Sequence, residues 1–191
     1  MIIGITGKKG SGKNAIANIL ESEHGFLVRA LADPIKWAIS EIFGWSLIAM
    51  DDRKFKEEID PEFGVSPRQV MQDMGTEWGQ FHLCEMFPEF AKVTGRNLWV
   101  KRLLQDYYED YYEEDYLAVP DVRYLHEVEA LREYGAYIIK VIDPRIESTD
   151  THLSETELDQ IKPDVTIYNS GTLDDLRKQV LLAYETFQDN Y

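Results

Sequence analysis

The chain has 191 residues, 44% of them hydrophobic and 12% aromatic, enough to build a core and too many for a disordered polymer. Its net charge of −15 disfavours a sequence-independent grip on DNA, RNA or an anionic membrane surface, so neither nucleic acid nor membrane is expected as a partner. A single cysteine, Cys84, excludes an internal disulfide framework and fits a reducing compartment. No run approaches the ~18 apolar residues of a membrane span, and the first residues lack the order of a signal peptide. One compact domain over 1–191 is expected.

Taken in chain order, Ile2-Ile3-Gly4-Ile5-Thr6 reads as a strand and Ala15-Ile16-Ala17-Asn18-Ile19-Leu20 as the start of a helix. Between them stands Gly7-Lys8-Lys9-Gly10-Ser11-Gly12-Lys13-Asn14, a G-x-x-x-x-G-K loop in the strand–turn–helix setting that cradles a nucleotide polyphosphate. Gly7, Gly10 and Gly12 allow successive N–H groups to turn inward as an anion nest, and the following helix aims its N-terminus at the same point. Lys13 can reach the β- and γ-phosphates as a mobile point charge. Asn14 stands where a Ser or Thr usually binds Mg²⁺. Residues 1–20 carry Lys8, Lys9 and Lys13 and no acid, so the loop is electropositive within an acidic protein. These residues point to binding of a nucleoside phosphate.

Further along, 27–32, 116–120, 136–142 and 164–168 are short β-branched or apolar runs with helical patterns between them. With 2–6 they predict a five-stranded, mainly parallel sheet covered by helices on both faces, an α/β fold. Residues 46–65 are charged and aperiodic, and read as an irregular excursion beside the site. Ser66-Pro67-Arg68-Gln69 offers a capping box and a proline at the first helical position, ahead of a core stripe of Val70, Met71, Met74, Trp78 and Phe81. Residues 106–116 are acidic and tyrosine-rich, the pattern of a solvated helix end with some tyrosines packed inward, an interaction surface being the alternative. Thr172 with Asp175 opens the last helix, whose predicted buried face is Leu173, Leu176, Val180, Tyr184 and Phe187.

Two further groups carry chemistry. The strand 116–120 ends in Asp121-Val122-Arg123, and ligands of open α/β sheets sit at the carboxyl ends of strands. Asp121 is thus placed to hold Mg²⁺ directly or through water, and Arg123 to bring a planar fork to a phosphate. Arg68 opposes the macrodipole in the first turn of its helix, at a cost of roughly 0.3–1 kcal/mol unless an anion sits there.

These segments resemble the bacteriophage deoxynucleoside monophosphate kinases, within the P-loop kinases. The resemblance is carried by Gly7–Asn14, Leu31-Ala32-Asp33-Pro34-Ile35-Lys36, Arg53-Lys54 with Ile59-Asp60, and Arg68-Gln69-Val70-Met71-Gln72 continuing to Gly75-Thr76. It continues with Trp99-Val100-Lys101, Val119-Pro120-Asp121-Val122-Arg123 with His126-Glu127, and Asp150-Thr151-His152-Leu153-Ser154-Glu155. It implies a P-loop NTPase fold with a lid over about 143–157, ATP and Mg²⁺ as cofactors, and transfer of the γ-phosphoryl group to a deoxynucleoside monophosphate. By the same resemblance Lys9, Gly12, Lys13 and Asn14 hold ATP, with Gly7, Gly10 and Ser11 completing the cradle read from the loop itself. Lys36, Arg53, Arg68, Gly75, Thr76, Trp99, Asp121, Arg123 and Glu127 surround the monophosphate, with Thr76 and Glu127 suited to base or sugar edges. Lys13, Arg68, Arg123 and Asp121 are the implied catalytic group, and Asn14 and Asp121 the metal ligands. A homodimer is compatible with the resemblance, and the cysteine usage and N-terminal pattern lead to an expected cytoplasmic location, the host's if phage-encoded. Ala15 and the stretch Asp143–Ser148, with Arg145 in the place of a lid arginine, depart from the pattern. The rival readings are another small-metabolite kinase of the dephospho-coenzyme A kinase type and a nucleotide sensor without turnover.

Overall fold

The computed structural model describes residues 1–110, 116–146 and 157–189. The described residues group into two compact units: Met1–Ala30 with Leu103–Tyr191, and Leu31–Arg102.

The first unit is built on five parallel strands in the order β2-β3-β1-β4-β5. They are β1 (Ile2–Gly7), β2 (Leu27–Val28), β3 (Leu117–Val119), β4 (Tyr137–Ile142) and β5 (Val165–Tyr168). All of β1 is buried, as a central parallel strand covered on both faces must be. Ile3 and Ile5 join Ile16, Leu20, Leu176 and Val180 in one core, which places α1 (Lys13–His24) and α9 (Leu173–Gln188) on that face. The opposite face closes on Gly4, where an added Cβ would lie 2.8 Å from Ile138 and 3.5 Å from Leu131 of α8 (Leu125–Arg132).

Two expectations for this unit need correction. The second strand spans Leu27–Val28 and not 27–32, because Asp33-Pro34 already opens α2 (Asp33–Phe43); the Arg29 N–H carries the ladder one step further, to the Ala118 carbonyl at 3.1 Å. Leu173 is 53% exposed, and Ala183 takes its place beside Leu176, Val180 and Phe187 on the buried face of α9. As expected of a helix end, the segment 106–116 is helical as far as Asp110 within α7 (Leu98–Asp110), with Tyr107 packed inward and Tyr108 exposed; 111–115 lie outside the described residues.

The second unit is helical. Ile35, Ile39, Trp45 and Met50 form its buried cluster, with Val70, Met71, Met74 and Trp99 packed against it. The excursion 46–65 proves to be folded: a 3₁₀ turn (Ala49–Asp51) leads into α3 (Arg53–Glu57), capped by Asp52, whose side chain takes the Phe55 N–H at 2.8 Å. Asp60 ties the segment down by accepting the Trp45 indole N–H at 2.7 Å. The capping box of α4 (Pro67–Gln72) forms as read, with Ser66 and Gln69 bonding each other's backbone N–H at 3.3 and 3.1 Å. Beyond it the helix widens to a π form over Asp73–His82 before α5 (Leu83–Met86) and α6 (Pro88–Val93). An i→i+5 bond pattern rotates every following side chain relative to an α-helix. The predicted stripe therefore breaks: Trp78 is 42% exposed, and Thr76, Gly79 and Gln80 are buried instead.

Candidate active site

The glycine loop follows from where β1 ends. Gly7 has φ 147°, and a Cβ there would lie 2.5 Å from the Val141 carbonyl oxygen, so β4 admits no side chain at this position. Gly12 has φ 106° and caps α1, whose first turn carries no acid. The positive end of the helix is thus left open to an anion. Ser11 N–H donates to the Lys8 carbonyl at 3.1 Å and tightens the turn. The Lys13 ammonium lies back across the loop, donating to the Gly7 carbonyl and, at 2.9 Å, to the Lys8 carbonyl. Lys9, Gly10 and Asn14 are exposed. The hydroxyls of Ser11 and Thr6 are buried without a hydrogen-bond partner among the described residues. A buried hydroxyl left unpaired costs about 1–3 kcal/mol, and a phosphate oxygen beside Ser11 would satisfy it. The cradle of glycine N–H groups, the orphaned hydroxyl and the lysine therefore fit a polyphosphate. For Mg²⁺ the fit is sparse. Among the described residues no group of three or more His, Cys, Asp or Glu side chains is placed to hold a metal ion. Asn14 and Asp121 supply at most two oxygens, the arrangement of an ion held mainly by substrate phosphates and water.

In the same unit, β3 lies beside β1, with Gly4 paired to Val119, so the turn after β3 emerges at the edge of the sheet that carries the loop. Asp121 and Arg123 are half-buried there, while Glu127 is buried. One Glu127 oxygen accepts the backbone N–H groups of Arg123 at 2.8 Å and Tyr124 at 3.1 Å. Burial pushes the Glu127 carboxyl up to about 7; the two N–H donors and Arg123 pull against the rise, and the Asp121 charge adds to it. Here the carboxylate builds the turn that presents Asp121 and Arg123, a task the sequence reading did not give it.

In the second unit, Lys36 and Arg68, both assigned to the acceptor, each have an acidic partner. Lys36 bonds Asp51 at 2.7 Å, and the Arg68 Nε lies 2.7 Å from a Glu57 oxygen. Arg53 opens α3. The Gly75 carbonyl accepts the Trp99 indole N–H at 2.8 Å, and Thr76 is buried one residue on. Trp99 presses on Gly79, where an added Cβ would lie 2.5 Å from the ring. An open groove of about 540 Å³, lined by Asp73, Met74, Glu77, Trp78 and His82, contains none of the residues read from the sequence as site residues. The sequence reading missed Glu57, Gly79 and Asn169. Asn169-Ser170-Gly171 directly after β5 carried a usable signal, since turns at the carboxyl ends of strands hold ligands. Of the proposed lid, 147–156, including Thr151, His152, Ser154 and Glu155, lie outside the described residues; Arg145 is exposed and paired with Asp143.

A parallel sheet of this order with a glycine loop between its central strand and first helix defines an α/β protein of the P-loop kinase fold. Solved structures agree on that fold. TT1252 from Thermus thermophilus is similar over 97% of this chain and 96% of its own, with a TM-score of 0.51 at 22% identity. Dephospho-CoA kinase from Campylobacter jejuni is similar over 100% and 98%, with a TM-score of 0.52 at 16% identity. The family model for deoxynucleotide monophosphate kinase matches residues 53–180. A protein of Acanthamoeba polyphaga mimivirus, provisionally named a deoxynucleotide monophosphate kinase, is 32% identical over 188 residues, 95% of this chain and 94% of its own. The deoxynucleotide monophosphate kinase of Enterobacteria phage T4 is 34% identical over 116 residues, 60% of this chain and 44% of the phage protein. The Escherichia phage RB69 enzyme of the same name is 33% identical over 117 residues, 60% and 43%. The match thus spans under half of either phage protein. The chain belongs to the deoxynucleotide monophosphate kinase family.

Proposed function

We infer that the chain phosphorylates deoxynucleoside monophosphates, with ATP as donor and the deoxynucleoside diphosphate and ADP as products. Family membership supports the kinase class. The observation that carries the donor assignment is the loop Gly7–Asn14, with its open helix N-terminus, Lys13 and the orphaned Ser11 hydroxyl. An oxygen of the acceptor monophosphate attacks the γ-phosphorus of ATP, and the bond from that phosphorus to the oxygen bridging to the β-phosphate breaks. A phosphate monoester is anionic at neutral pH, so the step needs no protein base, and positioning with charge stabilisation dominates.

Lys13, the loop N–H groups and Ser11 neutralise the donor phosphates. Asn14 and Asp121 would hold Mg²⁺, which when bound supplies further positive charge to those oxygens. Lys36, Arg53, Arg68 and Arg123 are assigned to the acceptor phosphate on the resemblance and on their chemistry, and Gly75, Thr76, Trp99 and Glu127 to the surroundings of the nucleoside. Residues 143–157 are assigned as a lid that excludes water from the transferring phosphoryl group. A coupled assay with ATP, Mg²⁺ and a panel of monophosphates tests the reading. Diphosphate formation from a deoxynucleoside monophosphate supports it. Turnover with dephospho-coenzyme A alone, or ATP binding without any turnover, overturns it.

A further inference from the structure

Asn169 lies one residue beyond β5, and three of its polar groups tie separate parts of the first unit together. Its N–H donates to the Ile142 carbonyl at 2.8 Å, extending the β4–β5 ladder one residue past the end of β5. Its carbonyl accepts from Arg145 Nη2 at 3.0 Å. That guanidinium is in turn gripped from two sides by Asp143, with Nε to Oδ1 and Nη2 to Oδ2 both at 2.8 Å. With its main chain fixed in this way, the Asn169 side chain is aimed at the glycine loop, where Nδ2 donates to the Ser11 carbonyl at 2.9 Å. The approach is close enough that a Cβ on Gly12 would lie 2.4 Å from Nδ2.

The group held by this amide gives the contact its consequence. The peptide between Ser11 and Gly12 is planar, and no cis bond occurs among the described residues. Its N–H therefore points opposite to its carbonyl. Anchoring the Ser11 carbonyl on Asn169 turns the Gly12 N–H away from Asn169. The loop has little else to fix that direction. Gly10 and Gly12 both sit at positive φ, where glycine moves between conformations at small cost. The Ser11 N–H is already committed to the Lys8 carbonyl.

We propose that Asn169 is a positioning residue of the nucleotide loop: by holding the Ser11 carbonyl it aims the Gly12 N–H at the phosphates of the bound nucleotide, with the Asp143–Arg145 pair bracing Asn169 for that role. The inference rests on the reading of Gly7–Asn14 as the ATP loop.

Asn169→Leu keeps the size of the side chain and removes the donor, and Asn169→Ala provides a second variant if leucine disturbs folding. Lys13→Ala is measured beside them as a check on the loop itself. For each, ATP Kd is taken by calorimetry without acceptor, deoxynucleoside monophosphate KM by assay, and Tm by thermal melting. Asn169 variants that retain the parent's circular dichroism spectrum are expected to weaken ATP binding at least about tenfold, the scale of one hydrogen-bond donor to a charged group, and to leave acceptor KM within about twofold. Lys13→Ala is expected to lose ATP affinity by at least as much. A lowered Tm with ATP Kd within about twofold of the parent, while Lys13→Ala loses binding, overturns the role of Asn169 and leaves the loop assignment standing. Normal ATP binding by folded Lys13→Ala overturns the loop assignment, and the proposal with it.

Discussion

Arg68 illustrates how one side chain can be committed and available at once. Its Nε lies 2.7 Å from Glu57, which leaves the far edge of the guanidinium fork for a ligand. Bidentate recognition of a phosphate depends on that planar edge, and a lysine restores the charge without the geometry. Arg68→Lys is therefore expected to raise the monophosphate KM several-fold while changing ATP Kd by less than about threefold, as measured by steady-state kinetics and calorimetry. Equal losses for donor and acceptor would assign Arg68 to the ATP site. The sequence singled out Arg68 because a cation in a first helical turn needs a reason, but it gave no sign of Glu57. An ion pair between separate helices depends on their packing and leaves no local pattern. Lys13 and the glycines were legible for the opposite reason: their chemistry lies within eight consecutive residues.

Glu127 and the widened helix show how elements set the terms for their side chains. The raised Glu127 carboxyl binds its proton more tightly in the folded protein than in the unfolded chain. Its contribution to stability is accordingly largest below the ordinary carboxylate pKa of 4.5, falls as pH rises from there to about 7, and is level above. The full change is on the order of 3 kcal/mol. Glu127→Gln keeps an oxygen for the Arg123 and Tyr124 N–H groups and does not titrate, so urea unfolding across pH 4 to 8 should show this fall in the parent and not in the variant. Parallel curves would mean that Glu127 titrates alike in the folded and unfolded chain, against the raised value.

In the second unit, Gly79→Ala would force a methyl group into the Trp99 ring. Overpacking of this kind costs about 1–3 kcal/mol, readable as a lower urea midpoint with a changed tryptophan emission spectrum. A midpoint equal to the parent's would show that Trp99 yields freely. The capping boxes at Ser66 and Thr172 were readable because their residues are neighbours in sequence. The π form over Asp73–His82 was not, since an i→i+5 pattern has no compositional mark and the 3.6-residue stripe ran straight through it.

At the scale of the whole molecule, the charge distribution supports the assignment of the loop. A chain of net charge −15 keeps its first 20 residues free of acid, where Lys8, Lys9 and Lys13 surround the helix N-terminus. The sheet was legible because each strand is a short apolar run and helical patterns fill the gaps between them. Only its edge was misjudged, where β2 pairs with β3 alone and two residues suffice. Division into two compact units was not legible, because residues 31–102 have no linker composition at either end; their separateness lies in a cluster around Ile39, Trp45 and Met50. The family implies one reaction for the molecule as a whole, and phosphoryl transfer can be followed atom by atom. With ATP labelled at its γ-phosphorus, Mg²⁺ and a deoxynucleoside monophosphate, the account predicts that the label appears in the β-phosphate of the deoxynucleoside diphosphate as ADP forms. Label that stays in ATP, or is released as inorganic phosphate, with every deoxynucleoside monophosphate supplied would contradict it.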